Sequence, residues 1–281
     1  MTGKLFFALL VLSFSLLVPA LSSHLKDRPV EVKLGYMPHP RVLKLLVADQ
    51  SPLIADIAIL KVLFYYGTII EKWQTNVIIR PEFFNMFKTL QAAIQLDPYN
   101  EDAYYFAQAA FNWELGRARD VNSLLEYGMQ FRTWDYWLPF YAGFNSAYFL
   151  KEYDKAARYM QRAAEISGNA LFGKLAARYF YESDQTSLGL AFLDTMIAST
   201  RDKAVKKTYQ VRKAALLAVA SLEKALAAYH DEKKHLPNDL QQLVKAGFID
   251  AIPVDPYGGV FFIDATGKVR TTSQFANPEM M

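Results

Sequence analysis

The side chains best suited to chemistry lie near the end of a long helical stretch, at His230, Asp231, Glu232 and His235. Imidazole and carboxylate groups bind divalent metals, and ligand pairs on a helix are spaced three or four residues apart so that they share a face. The two histidines are five positions apart and straddle the expected end of the helix. This spacing favours a solvated polar helix terminus, so the sequence predicts no metal and no cofactor here.

Two aspartates, Asp255 and Asp264, flank a glycine-containing turn cluster close to the C-terminal end. Calcium requires about six to eight oxygen ligands, and the neighbouring sequence supplies too few. Aspartate also accepts hydrogen bonds from backbone amides two residues further on, which makes it a common turn former. We therefore interpret both residues as turn-forming aspartates rather than as a calcium site.

The remaining residue types do not favour catalysis. An enzyme needs a nucleophile with its base, or paired carboxylates in a cleft. The chain contains four histidines and no cysteine, and it has no GxSxG, P-loop or HExxH pattern. We predict a protein that is not an enzyme, and an envelope enzyme that uses the loop from His230 to His235 is the catalytic alternative.

The composition is that of a folded protein without a strong net charge. The 281 residues are 52% hydrophobic, 15% aromatic and 21% charged, which is enough apolar material for one or two cores. The formal net charge is +3, from 31 basic and 28 acidic residues. Because lysine and arginine form no long run, we expect no nucleic-acid partner.

The N-terminal segment has the pattern of a targeting sequence. Lys4 precedes an apolar run over residues 5–21, and small residues near the end of the run suit signal peptidase. The run is also long enough to remain in a bilayer as an uncleaved anchor over residues 4–22. In both cases we expect the rest of the chain to face the periplasm of a bacterial envelope, because Lys4 stays on the cytoplasmic side.

A second apolar segment, residues 53–70, contains Asp56 and Lys61. Each of these charges costs about 2.5–3.5 kcal/mol at the centre of a bilayer. Ser51-Pro52 provides a cap and a first residue for a helix. Apolar residues then recur at helical spacing at Leu53, Ile57, Leu60 and Phe64. We predict a helix buried in a soluble domain rather than a membrane span.

The most regular pattern lies within Ala92–Gly168. Its first part, AAIQLDPYNEDAYYFAQAAF, predicts a helix that ends at Asp97-Pro98 and a second, aromatic helix that begins near Asp102. Small and aromatic residues recur with a period of about 34 residues, interrupted by two inserted residues, at Ala93, Tyr104, Phe111, Ala156 and Ala163. This pattern resembles tetratricopeptide repeats. The resemblance implies a stack of antiparallel helical pairs that binds other proteins.

In tetratricopeptide arrays the first helix of each pair lines a concave groove. The resemblance implies partner-binding roles for Tyr105, Asn112, Trp113, Tyr141, Asn145, Tyr148 and Phe149. Arrays that clamp a C-terminal carboxylate carry a lysine where this chain has Tyr141, so we do not expect a standard carboxylate clamp. An aromatic groove suits apolar peptide segments, because Tyr and Trp give a large contact area at low entropic cost. The alternative is that these rings only fill interfaces between helices.

After a long helix over residues 202–230 the sequence changes character. A short leucine-rich helix ends at Gly247, turn residues follow at 255–259, and two apolar strands flank Asp264-Ala265-Thr266-Gly267 as a hairpin. This order, over residues 221–273, resembles the periplasmic part of type II secretion pseudopilins. The prepilin cleavage motif of that family is missing, so we expect the head without the polymerising segment.

These patterns predict a mostly α protein, namely a TPR-like antiparallel helical array (an α-solenoid) with a small C-terminal helix plus β-hairpin module. The predicted divisions are a signal peptide or membrane anchor (1–22), an extended connector with N-terminal capping helices (23–75), TPR-like repeats (76–200), a long helix with the pseudopilin-like α+β module (201–275) and a tail (276–281).

The predicted function is a non-catalytic scaffold for protein–protein interaction, exported to the periplasm or anchored in the inner membrane. Its groove would bind a partner protein or peptide during the assembly of a secretion or pilus-like system. The structural alternative is an envelope module that associates only with itself. The sequence leaves the identity of the partner and the oligomeric state open.

Overall fold

The computed structural model describes residues 2–26, 33–77 and 79–276. The described chain is mostly helical and carries one small two-stranded antiparallel sheet, which confirms the predicted fold class at this level. Of the extended connector expected over residues 23–37, residues 23–26 belong to a helix, residues 33–37 are without regular structure and residues 27–32 lie outside the described residues, as does the tail from residue 277.

The chain forms two compact units, residues 1–107 and residues 108–281. This boundary falls inside a helical stretch, whereas the sequence-based divisions fall near residues 75 and 200.

The described residues of the first unit contain five α-helices, α1 (Thr2–Lys26), α2 (Pro40–Val47), α3 (Ser51–Gln74), α4 (Phe83–Leu96) and α5 (Glu101–Phe106), and a short 3-10 helix, Ala48–Gln50, between α2 and α3. α3 packs against α4, and α2 contacts both of them. The turn between α4 and α5 follows the prediction. The Asn100 side chain accepts a hydrogen bond from the backbone N–H of Ala103 and so caps α5.

The face of α3 that packs inward differs from the predicted one. Its buried face is formed by Ala55, Ala58, Ile59, Val62, Tyr65 and Ile69. The predicted stripe is exposed instead, by 52% at Leu53, 51% at Ile57, 50% at Leu60 and 75% at Phe64. Because α3 is apolar on both faces, helical spacing alone did not decide which stripe packs inward. Among the described residues α3 is also long and apolar enough to cross a membrane, a test that core helices pass as well.

In the second unit six consecutive α-helices each pack against the next one along the chain. They are α6 (Ala118–Met129), α7 (Trp137–Asn145), α8 (Tyr153–Ser167), α9 (Ala170–Glu182), α10 (Thr186–Ser199) and α11 (Lys203–Lys233). Small side chains let these helices approach closely, and the predicted small positions Ala156 and Ala163 are both fully buried. Gly173 of α9 has the same effect, because a Cβ there would lie 2.5 Å from the hydroxyl oxygen of Tyr209 on α11.

A short helix and the predicted hairpin complete the second unit. α12 (Leu240–Lys245) is capped by Asp239, whose carboxylate accepts from the backbone N–H of Gln242 at 2.9 Å. β1 (Phe261–Ile263) pairs with β2 (Val269–Thr271) in antiparallel register. The Tyr181 hydroxyl of α9 donates to the carbonyl of Val269 at 2.9 Å and holds the hairpin against the helices.

Asp255 and Asp264 both serve as hydrogen-bond acceptors of turns. Asp255 is buried, and it accepts from the Tyr257 backbone N–H at 2.9 Å and from the hydroxyls of Thr271 and Ser273. Asp264 Oδ1 accepts from the hydroxyl and backbone N–H of Thr266 and from the backbone N–H of Lys268. These hydrogen bonds lower the pKa of Asp264 to about 2.

The polar cluster at the end of α11 is solvent-facing. His230 and His235 are exposed, α11 ends at Lys233, and the His235 ring meets the Tyr229 ring edge-on at 5.7 Å. Within the described ranges no group of three or more His, Asp or Glu side chains is placed to hold a metal ion.

Candidate functional site

Four aromatic rings form a continuous surface on the second unit, which we call the aromatic face: Trp113, Phe144, Tyr148 and Phe149. The ring centroids of Tyr148 and Phe149 are 4.9 Å apart, and those of Trp113 and Phe149 are 5.1 Å apart. Phe144 and Tyr148 stack at 5.4 Å with nearly parallel planes. Trp113 is 56% exposed and Tyr148 is 55% exposed, so the face presents a large apolar area to solvent.

Two π-helical segments carry three of the four rings of the aromatic face. The π-helical stretch Ala107–Glu114 continues α5 and carries Trp113, and a second π-helical stretch, Ser146–Leu150, continues α7 and carries Tyr148 and Phe149. Lys151 ends the second stretch in the left-handed conformation, with φ of 57°. π-helical geometry is rare in proteins and occurs frequently at functional sites.

A buried network of side-chain amides lies behind the aromatic face. Asn145 Oδ1 accepts from Gln108 Nε2 at 3.0 Å and from Asn112 Nδ2. Asn145 Nδ2 donates to Gln108 Oε1 at 2.8 Å and to Asn122 Oδ1 at 2.9 Å. Asn122 donates in turn to the hydroxyl of Ser146 at 3.1 Å. Because buried amides are costly when unpaired, this network fixes the relative position of the two π-helical stretches.

The network corrects the sequence-based interpretation of two residues. Asn112 and Asn145 were expected to line a groove and contact a partner, but both are fully buried. Their amide groups pair with each other and with Gln108, so they position the aromatic face rather than contribute to it. Asn112 Oδ1 has no hydrogen-bond partner within the described residues.

The other predicted residues are placed as follows. Trp113, Tyr148 and Phe149 are brought together on the aromatic face. Tyr141 is half-buried and stacks on Trp137 at 5.7 Å, within a separate group of rings on α7. Tyr105 belongs to the first unit, where it is 40% exposed.

Phe144 and Lys151 were not identified from the sequence. Phe144 precedes Tyr148 by four residues, a spacing that places the two rings on one side of a helix, and this signal could have identified it. The Lys151 ammonium lies 5.5 Å from the centroid of the Tyr148 ring and adds a positive charge at the edge of the face. No role for Gln108 was identified from the sequence, yet it completes the amide network.

A polar patch joins α6 to the first turns of α8. Glu152 forms ion pairs with Lys155 at 2.9 Å and with Arg119 at 2.5 Å. The hydrogen bond that Lys155 donates contributes most to the lowered pKa of the Glu152 carboxyl group. The Tyr159 hydroxyl donates to Glu126, and burial followed by that hydrogen bond raises the pKa of Tyr159. The charged and hydroxyl groups of this patch therefore pair with one another.

The comparisons with known proteins identify no relative. No protein-family model matches the chain. Searches of curated proteins and of solved structures also found no significant match.

Proposed function

We propose that this chain is a non-catalytic, TPR-like scaffold of the bacterial envelope and that its aromatic face binds an apolar segment of a partner protein. The observation that supports this most directly is the exposure of Trp113 and Tyr148 at the centre of four touching rings. Monomeric proteins seldom expose contiguous large apolar patches, and interfaces are enriched in Trp and Tyr.

The support for a binding role comes from the construction of the face as well as from its exposure. Exposed rings on a flexible loop would lose side-chain and backbone entropy on binding. Here the rings lie on helical segments whose spacing is set by the buried amides of Gln108, Asn112 and Asn145. The face is therefore organised before a partner arrives, and the entropic cost of association is lowered.

Export is supported by the N-terminal helix. α1 is apolar over most of its length, and its described side chains are exposed, among them Phe7, Phe14 and Leu17. Such a helix needs a bilayer or removal by signal peptidase. The hairpin module of the second unit, with its likeness to pseudopilin heads, directs the proposal towards the assembly of a secretion or pilus-like system.

The test places a photoreactive residue at Tyr148 of the full chain in its native envelope. We expect crosslinks to a component of a secretion or pilus-like system. The double variant Trp113→Ala/Tyr148→Ala, with capture through an epitope tag, should recover at least about tenfold less of that component, since interface aromatic residues contribute about 2 kcal/mol or more each.

The matched control is Trp134, which is 60% exposed on the same unit but outside the aromatic face. Trp134→Ala should leave capture unchanged, and a photoreactive residue at position 134 should not give the same product. Equal crosslinking from positions 134 and 148, or undiminished capture by a folded double variant, would remove the aromatic face from the proposal.

Self-association is the second candidate function, and the outer side of α3 favours it. Ile57, Leu60 and Phe64 form an exposed apolar stripe there, and α2 exposes Leu45 and Leu46 as well. A charged variant such as Ile57→Lys would dissociate an oligomer built on this stripe. Sedimentation of the full chain and of Ile57→Lys distinguishes the two candidate functions. A module that associates through the α3 stripe should have a lower mass in the variant, whereas a scaffold that binds through the aromatic face should have the same mass in the variant and in the native chain.

A further inference from the structure

Exposed apolar side chains lie on α2 and on the outer side of α3 in the first unit, and we call them the α2–α3 surface. They are Leu45 and Leu46 on α2, and Leu53, Ile57, Leu60 and Phe64 on α3. Leu45 is 86% exposed, and α2 has no buried residue. The two helices contact each other, and only Ala48–Gln50 lies between them in the chain. Because folded proteins seldom leave large apolar patches in water, this surface calls for an occupant.

The inner side of α3 is bonded to the rest of the first unit. The Tyr65 hydroxyl accepts a hydrogen bond from the backbone N–H of Glu82 at 2.7 Å, and Asp56 Oδ1 accepts from the side chain of Asn100 at 2.6 Å. If α3 crossed a bilayer, these bonds would break and Asp56 and Lys61 would enter hydrocarbon, which is costly. The helix is therefore suited to lie along a membrane with its outer side and not to span it.

The charges beside the surface suit anionic phospholipid. α2 carries Arg41 and Lys44, which are both exposed, and contains no acidic residue. Residues 33–77 contain five basic and three acidic residues, and one of the acids, Asp56, is engaged by Asn100. Each cation near an anionic bilayer strengthens attachment by about fivefold.

Two rings and the chain connection also favour a bilayer. Tyr36 precedes α2 and Trp73 lies in the last turn of α3, and both are exposed. Tyr and Trp are enriched at membrane–water interfaces, where an apolar ring and a polar group are both satisfied. Residues 27–39, which reach at most about 45 Å when extended, separate α1 from α2. If α1 stays in the bilayer as proposed, the α2–α3 surface is held near the lipid.

We infer that the α2–α3 surface lies on an anionic phospholipid bilayer, with its apolar side chains among the upper acyl carbons and Arg41 and Lys44 at the head groups. Removal of the apolar side chains from water drives the contact, and the cations add to it. A symmetric pair of copies would bring the same basic patches together, and their repulsion disfavours a second copy as the occupant. The bilayer contact involves no residue of the aromatic face.

The test uses nitroxide labels on single cysteines, because the native chain contains no cysteine. The full chain is placed in liposomes of phosphatidylglycerol and phosphatidylethanolamine. Electron paramagnetic resonance then compares collisions of each label with oxygen, which concentrates in the bilayer, and with a water-soluble nickel chelate. We expect labels at Leu46→Cys and Leu60→Cys to lie about 5–10 Å below the head groups. The matched control is Leu217→Cys, an exposed leucine on α11, whose label should stay in water.

A label at Phe14→Cys reports the position of α1 in the same liposomes and separates this contact from the proposed anchor. Labels at positions 46 and 60 within the bilayer support the contact, whether the label at position 14 lies in lipid or in water. A label at position 14 within the bilayer, with those at 46 and 60 in water, would overturn the contact and leave the anchor intact.

The role of the cations is tested by Arg41→Gln/Lys44→Gln in the chain labelled at position 60. Loss of two cations should shift the ratio of membrane-bound to aqueous label by about 30-fold at low salt. The matched control, Lys206→Gln/Lys207→Gln, removes two exposed lysines of the second unit and should change that ratio by less than about twofold.

Three outcomes would overturn the inference. Dipolar broadening between labels at position 60 of different copies would assign the surface to a second copy of the chain. A label at position 60 that is shielded from both oxygen and the nickel chelate would mean that protein covers it, either α1 or a partner. Equal depth in liposomes of phosphatidylcholine alone, with no effect of the charge variant, would remove the anionic lipid.

Discussion

Replacement of Asn145 by alanine is the sharpest test of how the aromatic face is built. The substitution removes four hydrogen bonds at once, two to Gln108 and one each to Asn112 and Asn122. Four buried partner atoms lose a bond, and each unsatisfied buried group costs about 1–3 kcal/mol. Gln108, Asn112 and Asn122 can re-pair in part, so we expect a net loss of about 3–5 kcal/mol, at the high end for a single substitution.

The assay is urea unfolding of the full chain followed by tryptophan fluorescence, since Trp113, Trp134 and Trp137 all lie in the second unit. The expected loss corresponds to a midpoint lower by roughly 1–2 M urea. Tyr148→Ala is the matched control, because this exposed ring should change the free energy of unfolding by less than about 1 kcal/mol. A loss below about 1 kcal/mol for Asn145→Ala would refute the reasoning, since it would mean that the amides are hydrated and not a buried constraint.

Three further predictions concern the second unit. Tyr209→Phe should raise the free energy of unfolding of the second unit by about 1 kcal/mol, measured by thermal unfolding, because the buried Tyr209 hydroxyl has no hydrogen-bond partner among the described residues. A lower stability of the variant would show that this hydroxyl is hydrogen-bonded in solution. Gly259→Ala should cost about 3 kcal/mol, since its Cβ would lie 2.6 Å from the backbone nitrogen of Ser273, whereas Gly258→Ala, at φ of +79° in open space, should cost about 1 kcal/mol. The hydrogen bonds that lower the pKa of Asp264 stabilise the folded state above pH 3.8, the unfolded-state value, and this stabilisation is lost as the pH falls from 3.8 to about 2. The difference in free energy of unfolding between the native chain and Asp264→Asn should therefore shrink over that pH range. A constant difference would contradict the assignment.

The local signals in the sequence predicted the elements well. α3 starts at Ser51-Pro52, although its N-cap is Gln50, which makes no capping side-chain hydrogen bond, and not Ser51 as predicted. Asp97-Pro98 follows the end of α4, and the loop from Asp264 to Gly267 lies between the two strands of the hairpin. These features depend on capping and on turn conformations, which are decided within a few residues. The mostly α class follows from them, while the arrangement of the helices as a tetratricopeptide solenoid stays a prediction.

The candidate sites were harder to predict because they depend on partners far apart in the sequence. An asparagine at a groove position is expected to face solvent, and the burial of Asn145 becomes visible only when Gln108 lies opposite it, 37 residues away. The burial of Arg212 could not be predicted from the sequence for the same reason. Within a helix rich in Ala, Leu and Lys it resembles a solvated charge, and it is buried only because Tyr257 and Phe275 return to cover it.

The division between buried amides and exposed rings has a measurable consequence for the proposed function. Loss of stability lowers the folded fraction, and with it the apparent affinity, only when the folded state is no longer dominant. Because the buried amides also set the spacing of the π-helical stretches, Asn145→Ala should lose affinity for its partner even at low temperature, where the chain is fully folded. Tyr148→Ala should lose affinity while retaining stability. If the fully folded Asn145→Ala variant binds as tightly as the native chain, the amide network contributes only to stability, and pre-organisation of the rings by these amides is refuted.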